Sequence, residues 1–356
     1  MKNKELSQMF KPWTARIAAG VVFGVLVIGL VVLYYSLQNR TSPTSSPQVM
    51  SDQLSFPFQT KEDSVLHIWL RATASEAAKV SIPSPSSSNP TRSIQTNETG
   101  EFEFHEVRLG AEQGLTALTW STLTTNVSYA YVYEPSKVLD EGIRIIYITP
   151  AARNSHYGDS YHFRPPLGWM NDPNGFSKLN DNYHLFYQHY PHTLKWHAMH
   201  WGHAVSKDLV NWVHMPIFLR PDIIVTQKHK GNGGIFSGSA IPLPNNQGLR
   251  LFYTDDISDK EPKKEYQRSV ITLDGIMPAG ESEVILPNPP TPDQVANLTG
   301  DFRDPNAFMG PDGKWKMILG SYNGKGGVLL LYSTDDPTGA TGWAFVNVIW
   351  EDDRLA

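Results

Sequence analysis

Short runs in which apolar and polar residues alternate occupy this chain from about residue 55 onward, and that period of two most constrains its fold. Alternation puts successive side chains on opposite faces of a strand, whereas a helix needs apolar residues every 3.6 positions. Between residues 55 and 148 the runs are Leu66–Leu70, Glu101–His105, Leu115–Leu123 and Tyr129–Tyr133. Their separators, Ser84–Pro90 and Asn97–Gly100, are rich in Ser, Pro, Asn and Gly. This pattern predicts a small antiparallel β-sandwich. Its alternating aromatics are read first as core and second as a sugar platform.

From about Tyr161 the chain becomes richer in Trp, His, Asn and Gly. Strand-like segments of four to seven residues alternate with turn signals at Asn174-Gly175, Pro311-Asp312-Gly313 and Asn323-Gly324. No segment of this half sustains a helical period, so the prediction is all-β. Blades of a β-propeller and a second sandwich fit the pattern equally well.

The N-terminus differs. Ile17 to Tyr35 is almost unbroken apolar sequence, close to the roughly 20 residues that span a bilayer as a helix. Lys2, Lys4, Lys11 and Arg16 precede it and only Arg40 follows closely, which predicts a cytoplasmic N-terminus. Residues 1–16 are thus read as cytoplasmic, 17–37 as a transmembrane signal anchor and 38–54 as a Ser/Thr/Pro-rich stalk. The remainder is expected to be extracellular or lumenal, in the secretory pathway. Sequons at Asn39, Asn97, Asn126 and Asn297 agree with a glycoprotein. A net charge of −5 excludes the basic footprint that nucleic-acid binding needs, and the absence of cysteine excludes disulfides and thiolate chemistry.

Two fragments echo each other: Trp169-Met170-Asn171-Asp172-Pro173-Asn174-Gly175 and Phe302-Arg303-Asp304-Pro305-Asn306. A proline after each Asp disfavours helical angles there, so both carboxylates are expected on extended backbone. Arg303 beside Asp304 is expected to favour the ionised carboxylate. Asn171, Gln188 and Ser237 offer uncharged donors and acceptors, and Trp169, Trp196, Trp201 and Phe236 offer flat apolar faces. That mixture suits a polyol with hydroxyl edges and C–H faces better than a phosphate.

Trp169–Gly175, preceded by Tyr161-His162-Phe163-Arg164-Pro165-Pro166, resembles the opening signature of glycoside hydrolase family 32, the β-fructofuranosidases. Leu185–Gln188, Met199–Val210, Phe236–Ala240, Asp301–Pro305 and Gly324–Gly327 extend the resemblance in the family's order. It covers about residues 160–350 and implies the N-terminal part of a five-bladed propeller over 160–356. It also implies retaining hydrolysis of β-D-fructofuranoside bonds in sucrose or fructans, without metal or organic cofactor. Asp172 would be the nucleophile and Asp304 the transition-state stabiliser. Asn171, Gln188, Trp196, Phe236, Ser237 and Arg303 would line the pocket.

The family's acid/base is a Glu in a Trp-Glu-Cys-Pro-like segment, to which nothing in these 356 residues corresponds. Glu351, after Trp350, is read as a solvated loop residue. The chain as it stands is therefore expected to be inactive in hydrolysis. A non-catalytic fructan- or sucrose-binding protein and a fructosyltransferase are the alternative readings. Tyr253-Thr254-Asp255 departs from the family's Tyr-Thr-Gly, and Tyr266-Gln267-Arg268-Ser269 is a reduced form of the strand that follows. His197, His200 and His203 have metal-like spacing, but on a strand residues three apart face opposite ways. Gly231–Gly234 is read as a turn before the Phe236 strand.

Overall fold

A computed structural model describes residues 52–86, 90–110, 113–153, 162–222, 225, 231–257 and 264–352. All belong to one compact unit spanning Ser51–Ala356. The predicted anchor, most of the predicted stalk and the Asn39 sequon lie outside the described residues. Among the described residues no helix is long and apolar enough to cross a membrane.

Eight strands form the first layer pair: β1 (Gln53–Thr60), β2 (Ser64–Ala72), β3 (Ala78–Ile82), β4 (Arg92–Thr96), β5 (Glu103–Gly110), β6 (Gly114–Ser121), β7 (Thr125–Tyr133) and β8 (Arg144–Ile148). They pair as two antiparallel sheets, ordered β1-β6-β3-β4 and β5-β2-β7-β8. The first strand begins at Gln53, inside the predicted stalk. Leu66, Ile68 and Leu70 of β2, with Ala130 and Val132 of β7, pack between the sheets against Phe58, Leu118 and Trp120. Each fully buried Leu or Ile there contributes about 1.5–3 kcal/mol.

The opposite face of the same strands is not solvated. Val65, Trp69, Tyr129, Tyr131 and Tyr133 pack against Val205, Met215 and Ile217 of the next region. The Tyr131 hydroxyl accepts from the Ile217 N–H at 3.0 Å and lies 2.8 Å from His67 Nδ1. This burial explains the alternation of Tyr with Ala and Val in β7: two different cores lie on the two faces. It also corrects the sugar-platform reading for these aromatics, which are at most 3 % exposed.

Twelve further strands make three four-stranded antiparallel meanders, arranged as propeller blades. The first contains β9 (Trp169–Leu179), β10 (Asn182–Tyr190), β11 (His200–Ser206) and β12 (Val213–His214). The second contains β13 (Gly234–Pro242), β14 (Leu249–Asp256), β15 (Glu265–Thr272) and β16 (Glu283–Leu286). The third contains β17 (Phe302–Met309), β18 (Trp315–Tyr322), β19 (Gly327–Thr334) and β20 (Ala344–Asp352). The innermost strands β9, β13 and β17 lie side by side.

Asn174-Gly175 is not a turn. β9 runs through it to Leu179, and Gly175 adopts φ +50° within a bulge where a Cβ would stand 3.1 Å from Phe186. Gly234 answers a second close approach. A Cβ there would meet the Met199 backbone at 2.6 Å, and the Ile235 N–H donates to the Met199 carbonyl at 3.0 Å, joining blades one and two.

Candidate active site

Each innermost strand is bulged at the residues that the sequence singled out. In β9, Asn171 and Asp172 together oppose the single residue Gln188. In β13, Phe236 and Ser237 oppose Thr254. In β17, Asp304 and Pro305 oppose Leu319. A bulge bends its strand and re-aims side chains that a regular ladder would bury or pair. Three of them on adjacent strands bring Asp172, Ser237 and Asp304 to one site.

The Ser237 hydroxyl donates to Asp172 Oδ2 at 2.8 Å, and Asp172 is otherwise exposed. Trp169 Nε1 donates to Asn171 Oδ1 at 2.8 Å, fixing that amide. Ser239 Oγ donates to the Pro305 carbonyl at 2.8 Å and accepts from the Ala307 N–H at 2.9 Å, stitching β13 to β17. Trp196 is 43 % exposed, and its indole meets the Phe236 ring edge-on with centroids 6.1 Å apart. These two form an apolar wall.

Asp304 departs from the sequence expectation in two ways. Its φ is +64°, the left-handed region rather than extended backbone, because the bulge turns the chain there. The conformation is held from blade two. The Asp304 N–H donates to Thr254 Oγ1 at 3.0 Å, Thr254 Oγ1 donates to Gln267 Oε1 at 2.7 Å, and Gln267 Nε2 donates to the Phe302 carbonyl at 2.5 Å. Thr254 and Gln267 are fully buried, so this relay clamps both sides of Arg303.

Arg303 does not spend its guanidinium on Asp304. It pairs with Glu265 at 2.5 Å and with Asp301 at 2.8 Å, while Glu265 also accepts from the Phe302 N–H at 2.5 Å. The Asp304 pKa is accordingly raised, not lowered: desolvation is the largest cause, and Asp172 and Glu265 add to it against Arg303. Asp172 is therefore close enough for its charge to be felt at Asp304. Arg303 itself is held cationic by Glu265 and Asp301 against its own desolvation.

Two expected wall residues lie deeper. Gln188 is 2 % exposed and donates its amide to the Ile235 carbonyl at 2.8 Å, so it supports the neighbouring bulge. Trp201 is fully buried and donates to the Phe236 carbonyl at 3.0 Å. His200 and His203 part company: His200 Nδ1 lies 2.8 Å from the Ala198 carbonyl, whereas His203 Nε2 lies 3.1 Å from His184 Nδ1. Among the described residues no group of His, Asp and Glu is arranged to hold a metal.

Glu265, Thr254 and Ser239 were missed by sequence reasoning as supporting residues. Ser239 and Thr254 carried a signal, since they stand within the Phe236–Ala240 and Tyr253-Thr254-Asp255 segments; Glu265 carried none. Glu351 is solvated, but it is a strand residue and not the loop residue that the sequence suggested: it sits exposed on β20 opposite Val328, at the outer edge of the third blade. Three strand spacings separate it from β17, about 14 Å at roughly 4.8 Å each.

The model of the glycosyl hydrolases family 32 N-terminal domain matches residues 162–354. Acid beta-fructofuranosidase 1, vacuolar, of a Rosa hybrid cultivar is 39% identical over 185 residues, 50% of this chain and 29% of that protein. Sucrose-6-phosphate hydrolase of Escherichia coli is 36% identical over 185 residues, 51% of this chain and 36% of that protein. Levanase of Bacillus subtilis is 35% identical over 216 residues, 57% of this chain and 28% of that protein. The chain thus spans between 28% and 36% of the length of these relatives. A solved glycoside hydrolase family 32 structure from Bifidobacterium adolescentis superposes with a TM-score of 0.70 at 21% identity, over 84% of this chain and 57% of that one. At that identity the likeness speaks for the fold, and it extends beyond the three blades.

Proposed function

The chain belongs to glycosyl hydrolase family 32, and on that premise we propose that it carries the fructose-binding and nucleophilic part of a retaining β-fructofuranosidase. The observation behind this reading is the convergence of Asp172 and Asp304 on bulged innermost strands, with Ser237 bonded to the first. Those two are the only carboxylates of β9, β13 and β17.

In this reading the Asp172 carboxylate attacks the anomeric carbon of a β-D-fructofuranosyl unit. The bond to the leaving oxygen breaks and a fructosyl ester of Asp172 forms, which water then hydrolyses. Ser237 holds the attacking carboxylate in place. Asp304 accepts hydrogen bonds from fructose hydroxyls, and its negative charge stabilises the positive charge that develops on the ring. Phe236 and Trp196 cover the apolar face of the sugar. The leaving oxygen needs a proton donor within about 5–5.5 Å of the nucleophile, a distance that Glu351 does not meet from the outer edge of its blade. Sucrose or a fructan is the substrate class, by analogy with the named relatives. Membrane anchoring through residues 17–37, with the blades on the far side, is part of the same proposal.

The test uses a fructoside whose leaving group needs no proton. With p-nitrophenyl β-D-fructofuranoside, the 356-residue chain is expected to release about one equivalent of nitrophenol in a burst. Sucrose should turn over ~10²–10⁴-fold more slowly than in an enzyme with a general acid. Asp172→Asn should abolish the burst and Asp304→Asn should slow it strongly. A burst of equal size in Asp172→Asn would overturn the assignment.

A further inference from the structure

A second site opens where the sandwich meets the first blade. The loop between β4 and β5, together with the start of β5, closes over the segment that follows β10 and over Arg220, leaving a cleft of about 240 Å³. Trp69, Tyr190, His192 and His200 form its floor, each 5 % exposed or less. Phe102 and Phe104 form half-buried apolar walls, with Phe102 4.7 Å from the His192 ring and Phe104 4.9 Å from Trp69.

Its polar groups are of both signs, and two of them are unspent. Glu98 accepts from the Gly100 N–H at 2.8 Å, and Glu103 accepts from the Thr96 hydroxyl, so both are turned to their own loop. Among the described residues Glu101 has the Tyr190 hydroxyl at 3.4 Å and His197 Nε2 at 3.8 Å as distant partners, with the charge of Arg71 also felt at its carboxyl. From the other side, Arg220 stacks its guanidinium 3.8 Å over the Phe104 ring, yet its buried Nη1 has no hydrogen-bond partner among the described residues. A buried donor left unmade is costly, so an acceptor belongs there. Burial keeps His192 and His200 neutral. The available chemistry is therefore one anionic acceptor, one cationic donor and two half-buried aromatic rings, each already carrying a guanidinium over one face: Arg71 4.5 Å over Phe102 and Arg220 3.8 Å over Phe104.

We infer that this cleft binds one neutral sugar ring, with hydroxyls shared between Glu101 and Arg220 and its C–H surface against what the stacked guanidiniums leave uncovered of Phe102 and Phe104. Arg220 opposes a cationic ligand and Glu101 opposes an anionic one. The volume lies just under the ~300–1,000 Å³ of pockets for larger ligands, which suits a single ring. The cleft adjoins the Asp172 site through one segment, because His197, which contacts Glu101, follows Trp196 directly. It is thus placed to hold a non-reacting unit of an oligosaccharide. Its recognition chemistry does not depend on the proposed hydrolysis.

Saturation-transfer NMR on the full chain tests this, with sucrose and 1-kestose as probes and tetramethylammonium as the cationic control. In an Asp304→Asn background, which weakens the first site, sugar signals are expected to persist. Adding Glu101→Gln, or separately Phe102→Ala, should reduce them at least fivefold with the thermal midpoint retained. Signals that vanish with Asp304→Asn alone would overturn the second site, as would signals indifferent to both cleft variants. Glu101-dependent binding of tetramethylammonium without sugar binding would overturn it too. Failure of the hydrolytic reading leaves a different trace: no nitrophenol burst, but sugar signals sensitive to Glu101.

Discussion

The Ser237 hydroxyl donates to the Asp172 carboxylate across 2.8 Å, joining two neighbouring blades at the point where both innermost strands are bulged. Removing it should misplace the carboxylate proposed as the nucleophile without disturbing a core. A hydrogen bond to a charged group at a half-exposed site is worth about 1–1.5 kcal/mol, or roughly tenfold in rate. Ser237→Ala should therefore slow the nitrophenol burst about tenfold and leave stability within ~0.5 kcal/mol. Stopped-flow absorbance and a thermal melt measure the two; an unchanged burst rate would remove Ser237 from the mechanism.

Glu265 supports Asp304 indirectly, by holding both the Phe302 N–H and the Arg303 guanidinium. Glu265→Gln takes away the charge and leaves Arg303 facing Asp301 alone. Breaking a buried pair costs about 3–5 kcal/mol, discounted here to about 2 because Arg303 is 34% exposed. The thermal midpoint should fall by about 4–8 °C. A midpoint unmoved within a degree would show that the pair is dispensable.

Acid should unfold this protein through its histidines. Burial lowers His184 and His189 from 6.5 to about 4 and His200 to about 3, and His192 and His203 move the same way. Below the unfolded value near 6.5 the unfolded chain binds protons that the native state refuses, so stability falls as pH falls from 6.5 toward 4. Each of the first three removes on the order of 3 kcal/mol by the end of that window. Asp255, raised to about 6 by desolvation, works the opposite way over pH 4–6, and Asp304 and Glu101 are raised in the same direction, but these carboxyls are fewer than the buried histidines. Circular dichroism should show cooperative unfolding between about pH 5 and pH 4. A native signal retained at pH 3.5 would contradict the burial of these rings.

The N-terminal proposal has its own test. The full chain should stay in the membrane pellet after carbonate washing, and deletion of residues 1–37 should release it. Recovery of the full chain in the carbonate supernatant would refute the anchor while leaving the site unaffected.

Much of the site was legible in the chain. Asp172, Ser237 and Asp304 stand in local motifs, and the all-β architecture follows from a period of two, a property of each strand by itself. Residues whose role depends on meeting another strand were not legible. Glu265 lies 37 positions and Gln267 35 positions from Phe302, too far for any local pattern, and both act only because β15 packs beside β17. Arg303 looked like the partner of its neighbour Asp304 until the fold offered it Glu265.

Sequence alone determined that these segments are strands, which side chains share a face, and which carboxylates stand in stiff Asp-Pro contexts. Those are consequences of backbone sterics and side-chain alternation, and both act over a few residues. Tertiary structure decided which face met which core: Trp69 and Tyr131 turn to the first blade while Ile68 and Ala130 turn to the sandwich. It also decided the three bulges, the left-handed Asp304 and the raised pKa of its carboxyl. The reason is that register between blades, desolvation and charge proximity are relations between distant segments, and they exist only once the strands are packed together.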